Sequence, residues 1–344
     1  MAETNKPFTV HFVCRGNTYR SRLAAAYFDT LVDARFHVTS SGIGAQRSTS
    51  GVQIAEPYTK ATAKVHNLRH GITKHKTQTT DKLLADADVI IFMNKDVYDD
   101  ALKEYTFDVR KCQVWHVPDF DLETKRQVLA SHSEQALIDA AAVTFRNIQH
   151  RCNDLYTYLT HTAWVDVVDA KNEPTGLRLP MAWVTDRGLW HRGVHVVALT
   201  IDNKYVVGKR SNEIVFAPGM LEISLGGGVD TGEHPLHAAM RETHEEIGVH
   251  LPEKRFRPLF MYKQIGYHPH YHKQTRCHLY VYAVKLPVHS KELKPQPEEV
   301  AELRALSRRQ VKHLLHAHRM QHYGRLKWGY KLYDKAVAYS TLPV

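Results

Sequence analysis

Two α/β domains in tandem are predicted for this chain of 344 residues. Three observations predict them. A single hydrophobic core rarely grows past about 250–300 residues, so the length asks for two. From Phe8 onward, short β-prone runs alternate with helical patterns, as in a doubly wound parallel sheet whose site lies at the carboxyl ends of its strands. After His161-Thr162-Ala163 the pattern changes to short β runs gathered around one acidic amphipathic helix. The boundaries read from this change are residues 1–160 and 163–344.

Composition narrows the function classes. Apolar runs such as Val89 to Met93 and Val194 to Leu199 fall far short of the roughly 20 residues that span a bilayer, so no membrane role is expected. The opening MAETNKPFTVHFVC has no long apolar core or cleavage signal, which reads as a cytoplasmic protein. A net charge of +10 comes from scattered Lys and Arg rather than a basic patch. That distribution argues against nucleic acid and suits anionic small substrates or phosphoproteins. Cys14, Cys112, Cys152 and Cys277 show no paired spacing and read as reduced thiols. No pattern in the chain specifies an oligomeric state.

In the first domain, the β-prone run Phe8 to Val13 delivers the chain into Cys14-Arg15-Gly16-Asn17-Thr18-Tyr19-Arg20-Ser21, followed by the helical RLAAAYFDTL. Strand, loop, helix is a phosphate-binding layout, because the loop and the helix start present backbone N–H groups and a positive dipole end to an anion. The same surroundings favour a thiolate, making Cys14 the candidate nucleophile, and Arg20 is placed to clamp two phosphate oxygens. Cys and Arg also fall at this spacing by chance, so context matters. Downstream lie Ser40-Ser41-Gly42, the run LRHGITKHKTQTTDKLLADADVIIFMN, and Trp115-His116-Val117-Pro118-Asp119-Phe120. Residues 132–160 close the domain with Ala136, Ile138, Ala141, Ala142, Phe145, Ile148, Cys152, Leu155 and Leu159 at helical spacing.

This segment resembles the low-molecular-weight protein tyrosine phosphatases, whose loop reads Cys-x-Gly-Asn-x-Cys-Arg-Ser after an initial strand. Cys14, Gly16, Asn17, Arg20 and Ser21 match that pattern. The resemblance implies Cys14 as nucleophile and Arg20 as the phosphoryl clamp. Asn17 and Ser21 would support thiolate and loop, with Arg15, Gly16, Thr18 and Tyr19 completing the phosphate-binding cup. Asp119 would protonate the leaving oxygen and later activate water. Departures are informative. Tyr19 replaces the second loop cysteine, Arg22 replaces a common proline, and no cysteine occupies residues 80–95, where related arsenate reductases carry resolving thiols. Thr18 with Phe120 is similar to the protein-arginine phosphatase branch. Phosphotyrosine, another phosphoprotein and a small phosphomonoester all stay open as substrates.

The second domain begins with β-like runs Trp164 to Val168, Val194 to Ile201 and Tyr205 to Gly208, the last two joined by a hairpin turn at Asp202-Asn203-Lys204. Leu279 to Val284 adds a strand, and Ser307 to about Leu342 reads as helical. Between them lies GGVDTGEHPLHAAMRETHEEIGV, residues 227–249. At helical pitch Leu236, Ala239, Met240, Thr243 and Ile247 form an apolar stripe, and Glu242, Glu245 and Glu246 occupy a neighbouring arc of roughly 100°. Carboxylates that close repel unless a hard divalent cation lies between them, so Mg²⁺ or Mn²⁺ is the expected cofactor. Arg241 is placed to tether one of them by a bidentate pair. A Glu-rich helix is otherwise a solvated face.

Gly227, Glu233, Arg241, Glu242, Glu245, Glu246, Gly248 and Val249 fill every fixed position of the Nudix box, and this half is identified as a member of the Nudix hydrolases. The resemblance implies an α/β/α sandwich with a mixed sheet, and a metal on Glu242, Glu245, Glu246 and the Gly227 carbonyl. It further implies a nucleoside-diphosphate-linked substrate. WVDVVDAKNEPTG, LWHRGVHVVAL and VVGKRS are similar to the branch containing isopentenyl-diphosphate isomerase, with His191 and Arg210 at its spacing and Arg210 a substrate-binding candidate. The isomerase's catalytic cysteine and a metal-binding histidine fall on Gly226 and Gly228, which favours hydrolysis. A further glutamate after the box is expected as base: Glu299, with Glu298 and Glu302 as rivals. His268-Pro269-His270-Tyr271-His272 reads as incidental or as substrate recognition rather than a second metal site.

The expectation is therefore a bifunctional hydrolase, a Cys-dependent phosphatase fused to a Mg²⁺-dependent Nudix hydrolase. The alternatives are a phosphoprotein phosphatase whose Nudix domain only senses a diphosphate ligand, or an isomerase-like second domain.

Overall fold

The computed structural model describes residues 6–46, 50–68, 72, 75–119, 134–212, 219–222, 225–268, 273–287, 289 and 300–316. The chain divides into two compact units, Met1–His161 and Thr162–Val344.

In the first unit, the β-prone runs become β1 (Phe8–Cys14), β2 (Phe36–Gly42), β3 (Val89–Phe92) and β4 (Cys112–Val114). They pair in the order β2-β1-β3-β4, all parallel. Parallel neighbours need crossovers, and α1 (Arg20–Asp29), α2 (Ser50–Val65), α3 (Asp81–Asp86) and α4 (Lys95–Glu104) supply them. The central strands are buried on both faces. Val13, Ile90, Phe92, Leu84, Val97 and Ala101 form one apolar layer. On the other side, Phe12 packs edge-on against Phe28 and Trp115.

The closing helix α5 (Glu134–Thr160) buries Ala141, Phe145, Ile148, Cys152, Leu155 and Leu159, a 4-3-4-3-4 spacing that keeps one face on α1 and α2. Cys152 is core as expected, and burial pushes its thiol pKa well up. Ile138 and Ala142 do not join the stripe; Ile138 stays 45% exposed.

The second unit is a mixed sheet of eight strands. Its main path runs β10 (Phe256–His268), β11 (Lys273–Lys285), β7 (Trp190–Leu199), β5 (Trp164–Val168), β6 (Pro174–Pro180). β7 and β11 pair in parallel while β10–β11 and β5–β6 are antiparallel. β8 (Tyr205–Arg210) joins β7 to β9 (Leu221–Glu222) and β12 (Val300–Leu306). The hairpin turn lies where expected, with Asn203 at φ 58°. Two short helices, α6 (Met181–Asp186) and α8 (Arg308–His316), flank the sheet, and Val311 of α8 packs with Val197, Val207 and Val281 on one face. The acidic helix α7 (Pro235–Ile247) covers the other, its Ala238, Ala239 and Ile247 against Val194, Val196, Tyr282 and Val284. No helix among the described residues is long and apolar enough to cross a membrane.

Candidate active sites

The first site forms where β1 ends and α1 begins. Cys14 is the last residue of β1 and is 3% exposed. The chain then turns sharply, with Asn17 at φ 47°, a left-handed conformation that Asn tolerates. The turn brings the Asn17 N–H to 3.2 Å from Cys14 Sγ. Ser21, in the first turn of α1, sets its Oγ 3.0 Å from the same sulfur. Asn17 acts as the keystone of the loop: its Nδ2 donates to Ser21 Oγ and Ser40 Oγ, and its Oδ1 accepts the Thr77 N–H at 2.8 Å. Thr59 on α2 donates to the Thr18 carbonyl at 2.9 Å, and the Gly44 N–H donates to the Arg15 carbonyl. The polar backbone of the cup is thereby held from three sides.

Gly42 explains the Ser-Ser-Gly run. A Cβ there would lie 2.5 Å from the Asn17 nitrogen and 2.7 Å from the Arg15 carbonyl oxygen, both backbone atoms that cannot give way. Arg20, 4% exposed, donates from Nη1 to the Val117 carbonyl and from Nη2 to Asp119 Oδ2. The Pro-Asp loop is thus joined to the cup through one guanidinium. Cys14, Asn17, Arg20, Ser21 and Asp119 come together as expected from the sequence.

Other loop residues face elsewhere. The Arg15 side chain leaves the cup for Asp96 and Asp100 on α4, at 2.9 Å each. The Tyr19 ring is buried, and its hydroxyl donates to the Ala141 carbonyl on α5 at 2.8 Å. Burial pushes its phenol up to about 12. At Tyr19 the side chain is therefore a packing anchor, and its expected place in the cup rests on its backbone. Arg22 is 3% exposed and pairs with Glu56 on α2 at 2.8 Å.

The second site lies between α7 and the segment 225–230, which bridges β7 and β5. Glu242 and Glu246 are spaced i, i+4, and this face of α7 is buried, with Glu242 at 6% and Glu246 at 8% exposure. Buried carboxylates need hydrogen-bond partners. The Gly226 N–H donates to Glu246 Oε1 at 2.6 Å, and Arg241 donates to Glu242 Oε1 at 2.8 Å. Gly227 lies directly against the Glu242 carboxylate: a Cβ there would sit 2.8 Å from Glu242 Cδ and push the side chain aside. Glu245, by contrast, is the exposed member and accepts from Arg241 at 3.0 Å.

Arg241 is the hub. Its bidentate partner is Glu233, through Nε to Oε1 at 3.1 Å and Nη2 to Oε2 at 3.0 Å, and it also donates to the Gly228 carbonyl. Desolvation opposes its charge, but the bonds to Glu233 and the charge of Glu242 push its pKa further up. Among the described residues no ready-made cage of three ligands converges. By chemistry alone the oxygen donors of Glu242, Glu245 and Glu246 suit a hard divalent cation, and Arg241 links the first two. The Gly227 carbonyl accepts the Val194 N–H at 2.9 Å. Arg210, at the end of β8, pairs with Glu222 at 2.8 Å. Glu302 on β12 is bound to Arg304 at 2.9 Å. Glu298, Glu299 and Phe120 lie outside the described residues, as do residues 269–272 of the histidine-rich run.

Two family models match: "NUDIX domain" over residues 189–328 and "Low molecular weight phosphotyrosine protein phosphatase" over residues 9–163. Among curated proteins, the chain is 31% identical over 141 residues to an uncharacterized Nudix hydrolase, orf19, of Rhodococcus erythropolis, covering 40% of this chain and 74% of that one. The chain belongs to the Nudix hydrolase family. It carries a low-molecular-weight phosphatase domain fused ahead of the Nudix domain. Both domains belong to hydrolase families.

The Nudix domain is also 34% identical over 100 residues to Nudix hydrolase 3 of Arabidopsis thaliana and 34% over 91 residues to the uncharacterized YfcD of Escherichia coli K12. These matches cover 29% and 26% of the chain and span only 13% and 50% of those proteins. Among solved structures, a MutT protein from Methanosarcina mazei Go1 is 15% identical, covering 42% of this chain and 94% of that one at a TM-score of 0.33. SP-PTP, a low-molecular-weight protein tyrosine phosphatase from Streptococcus pyogenes, is 21% identical, covering 44% and 93% at a TM-score of 0.33.

Sequence reasoning passed over His11, which lies in what reads as an apolar strand and is fully buried beneath the phosphatase loop. Its signal was a lone histidine among Val10, Phe12 and Val13.

Proposed function

We propose that the chain is a bifunctional hydrolase: residues 1–160 a Cys-dependent phosphomonoesterase, residues 163–344 a Nudix hydrolase that cleaves a nucleoside-diphosphate-linked compound. Cys14 attacks phosphorus and the P–O bond to the leaving group breaks, while Asp119 delivers a proton to the departing oxygen. Arg20 holds two phosphoryl oxygens, and Asn17 and Ser21 stabilise the sulfur. Water then attacks the cysteinyl phosphate, giving its proton to Asp119, and the P–S bond returns its electron pair to Cys14. The observation that carries this reading is the convergence of the Asn17 N–H and Ser21 hydroxyl on Cys14 Sγ, with Arg20 joined to Asp119 above them. A phosphoprotein or a small phosphate ester fits this cup equally, and a cytoplasmic location suits both.

In the Nudix domain, Glu242, Glu245, Glu246 and the Gly227 carbonyl would hold Mg²⁺ or Mn²⁺, which when bound neutralises a diphosphate and activates water. Arg241 orients the carboxylates, and the Gly226 N–H fixes Glu246. Arg210 is assigned to substrate binding, with Glu222 as its resting partner. Glu299 is assigned as base, with Glu298 and Glu302 as rivals. Testing Cys14→Ser and Glu246→Gln separately against phosphotyrosine, phosphoarginine, nucleotide sugars, dinucleoside polyphosphates and ADP-ribose separates the domains. Each variant should lose one class of turnover and keep the other. Loss of both classes in either variant would overturn the division of labour.

A further inference from the structure

We propose that His11 is a positioning residue for the Cys14 nucleophile, acting through Ser41 and Ser21. The inference rests on Cys14 being the nucleophile and names a group outside the loop motif that tunes it. His11 stands on β1 three residues before Cys14, with no exposed surface. In the parallel register it lies opposite Thr39, and Val13 lies opposite Ser41. Its Nδ1 is 2.7 Å from Thr39 Oγ1 and its Nε2 is 2.7 Å from Ser41 Oγ. The Ser41 hydroxyl is in turn 2.7 Å from Thr79 Oγ1. Desolvation by burial lowers the imidazole to about 4, so the ring is neutral at physiological pH, one nitrogen donating and the other accepting.

Through the Ser41 backbone the network reaches the sulfur. The Ser41 carbonyl accepts the Ser21 hydroxyl at 3.2 Å, and the same Ser21 oxygen lies 3.0 Å from Cys14 Sγ and accepts from Asn17 Nδ2. Ser21 has one proton and two neighbours that want it. When Cys14 is a thiol, its S–H donates to Ser21 and Ser21 donates to the Ser41 carbonyl. When Cys14 is a thiolate, the Ser21 proton is best used on sulfur, and the Ser41 carbonyl competes for it. How closely that carbonyl approaches Ser21 therefore sets how fully Ser21 supports the thiolate. His11 holds it back at 3.2 Å, longer than the usual O–H···O distance of about 2.7–2.8 Å, because both its nitrogens tether the strand that carries the carbonyl; without that tether the carbonyl closes on Ser21 and keeps its proton from the sulfur. An apolar residue at position 11 would take one partner from the half-buried Thr39 hydroxyl and leave the buried Ser41 hydroxyl to Thr79, and the loss is felt most at Ser41.

The test uses the full chain with His11→Leu, His11→Gln and Ser41→Ala, the last removing only a hydroxyl oxygen and keeping the carbonyl. Each is measured for hydrolysis of an aryl phosphate and for the rate at which iodoacetate alkylates Cys14, read by mass spectrometry of the Cys14 peptide. His11→Leu and Ser41→Ala should lower both kcat and the alkylation rate by about tenfold, the size of one buried hydrogen bond, with KM little changed. His11→Gln, which keeps a neutral donor and acceptor, should recover most of the loss. In a Ser21→Ala background, His11→Leu should have no further effect. The proposal falls if folded His11→Leu or Ser41→Ala alkylates at the parent rate, if Gln does not rescue, or if the Leu effect persists without Ser21. Should His11→Leu not fold, Ser41→Ala and His11→Gln decide the matter alone. Failure of the nucleophile reading has its own signature: phosphatase turnover surviving in Cys14→Ser.

Discussion

Replacing Asp119 by Asn should slow the phosphatase and, at the same time, tighten its grip on phosphate. The reason is the ion pair between Arg20 Nη2 and Asp119 Oδ2. Arg20 is 4% exposed and Asp119 24%, so the pair is shielded from water, and a phosphoryl group clamped by Arg20 competes with the carboxylate for the same N–H edge. A charge-assisted hydrogen bond is roughly twice as strong as a neutral one, so Asn releases about 1–1.5 kcal/mol of that competition. At about 1.4 kcal/mol per decade, the competitive inhibition constant for inorganic phosphate should fall about tenfold. Loss of the proton donor lowers kcat by about 10²–10⁴ for an alkyl phosphate, and less for a leaving group that departs unprotonated. The assay is steady-state hydrolysis of esters of graded leaving-group acidity, with phosphate as inhibitor. Phosphate binding no tighter than in the parent, or a kcat loss equal for all leaving groups, would refute the reasoning.

Gly42→Ala should cost about 1–3 kcal/mol of first-unit stability, since its Cβ would meet only backbone of the Cys14 loop; phosphatase turnover should vanish while Nudix turnover persists, a split seen by assaying both activities beside thermal unfolding. Glu246→Gln keeps an acceptor for the Gly226 N–H but removes a ligand charge, so titration of diphosphate hydrolysis with Mg²⁺ should show affinity weakened about 10–100-fold at nearly unchanged melting temperature. Acid should destabilise both units. Burial lowers His11 and His191 from 6.5 to about 4, so the unfolded chain binds more protons. Their contribution is complete above pH 6.5 and is lost as pH falls toward about 4, by at most about 3 kcal/mol each. Denaturant melts between pH 7.5 and 4 check this, and His11→Gln should flatten the part belonging to the first unit.

Much of both candidate sites was legible because their residues lie at short spacing along the chain. The turn from β1 into α1 puts Cys14, Asn17, Arg20 and Ser21 together within eight residues, and one helix carries the acidic cluster. Long-range partners were less legible. The Tyr19 hydroxyl finds Ala141 on a helix 122 residues away, and Arg22 finds Glu56, neither of which has a local signature. The depth of Glu242 and Glu246 was also hidden, since Glu-rich helices ordinarily face water and only the packing of α7 on Gly226 and Gly227 buries these two. Strands β6, β10 and β12 escaped notice because their residues mix charge and apolar character without clean alternation, their pairing being set by neighbours in the sheet. Ile138 shows the converse, a residue of the right period that has no surface to cover.

The Arg241 hub separates two properties that metal sites often fuse. In small metal-dependent folds the ion is the glue, and chelation unfolds the chain. Here a guanidinium fixed in the covalent chain already offsets part of the repulsion among Glu233, Glu242 and Glu245, while the Gly226 N–H supports Glu246. The architecture of the Nudix helix would therefore draw little on the proposed ion. With the proposed ion in place, a chelator should stop Nudix turnover reversibly, leave the phosphatase untouched and barely move the unfolding temperature.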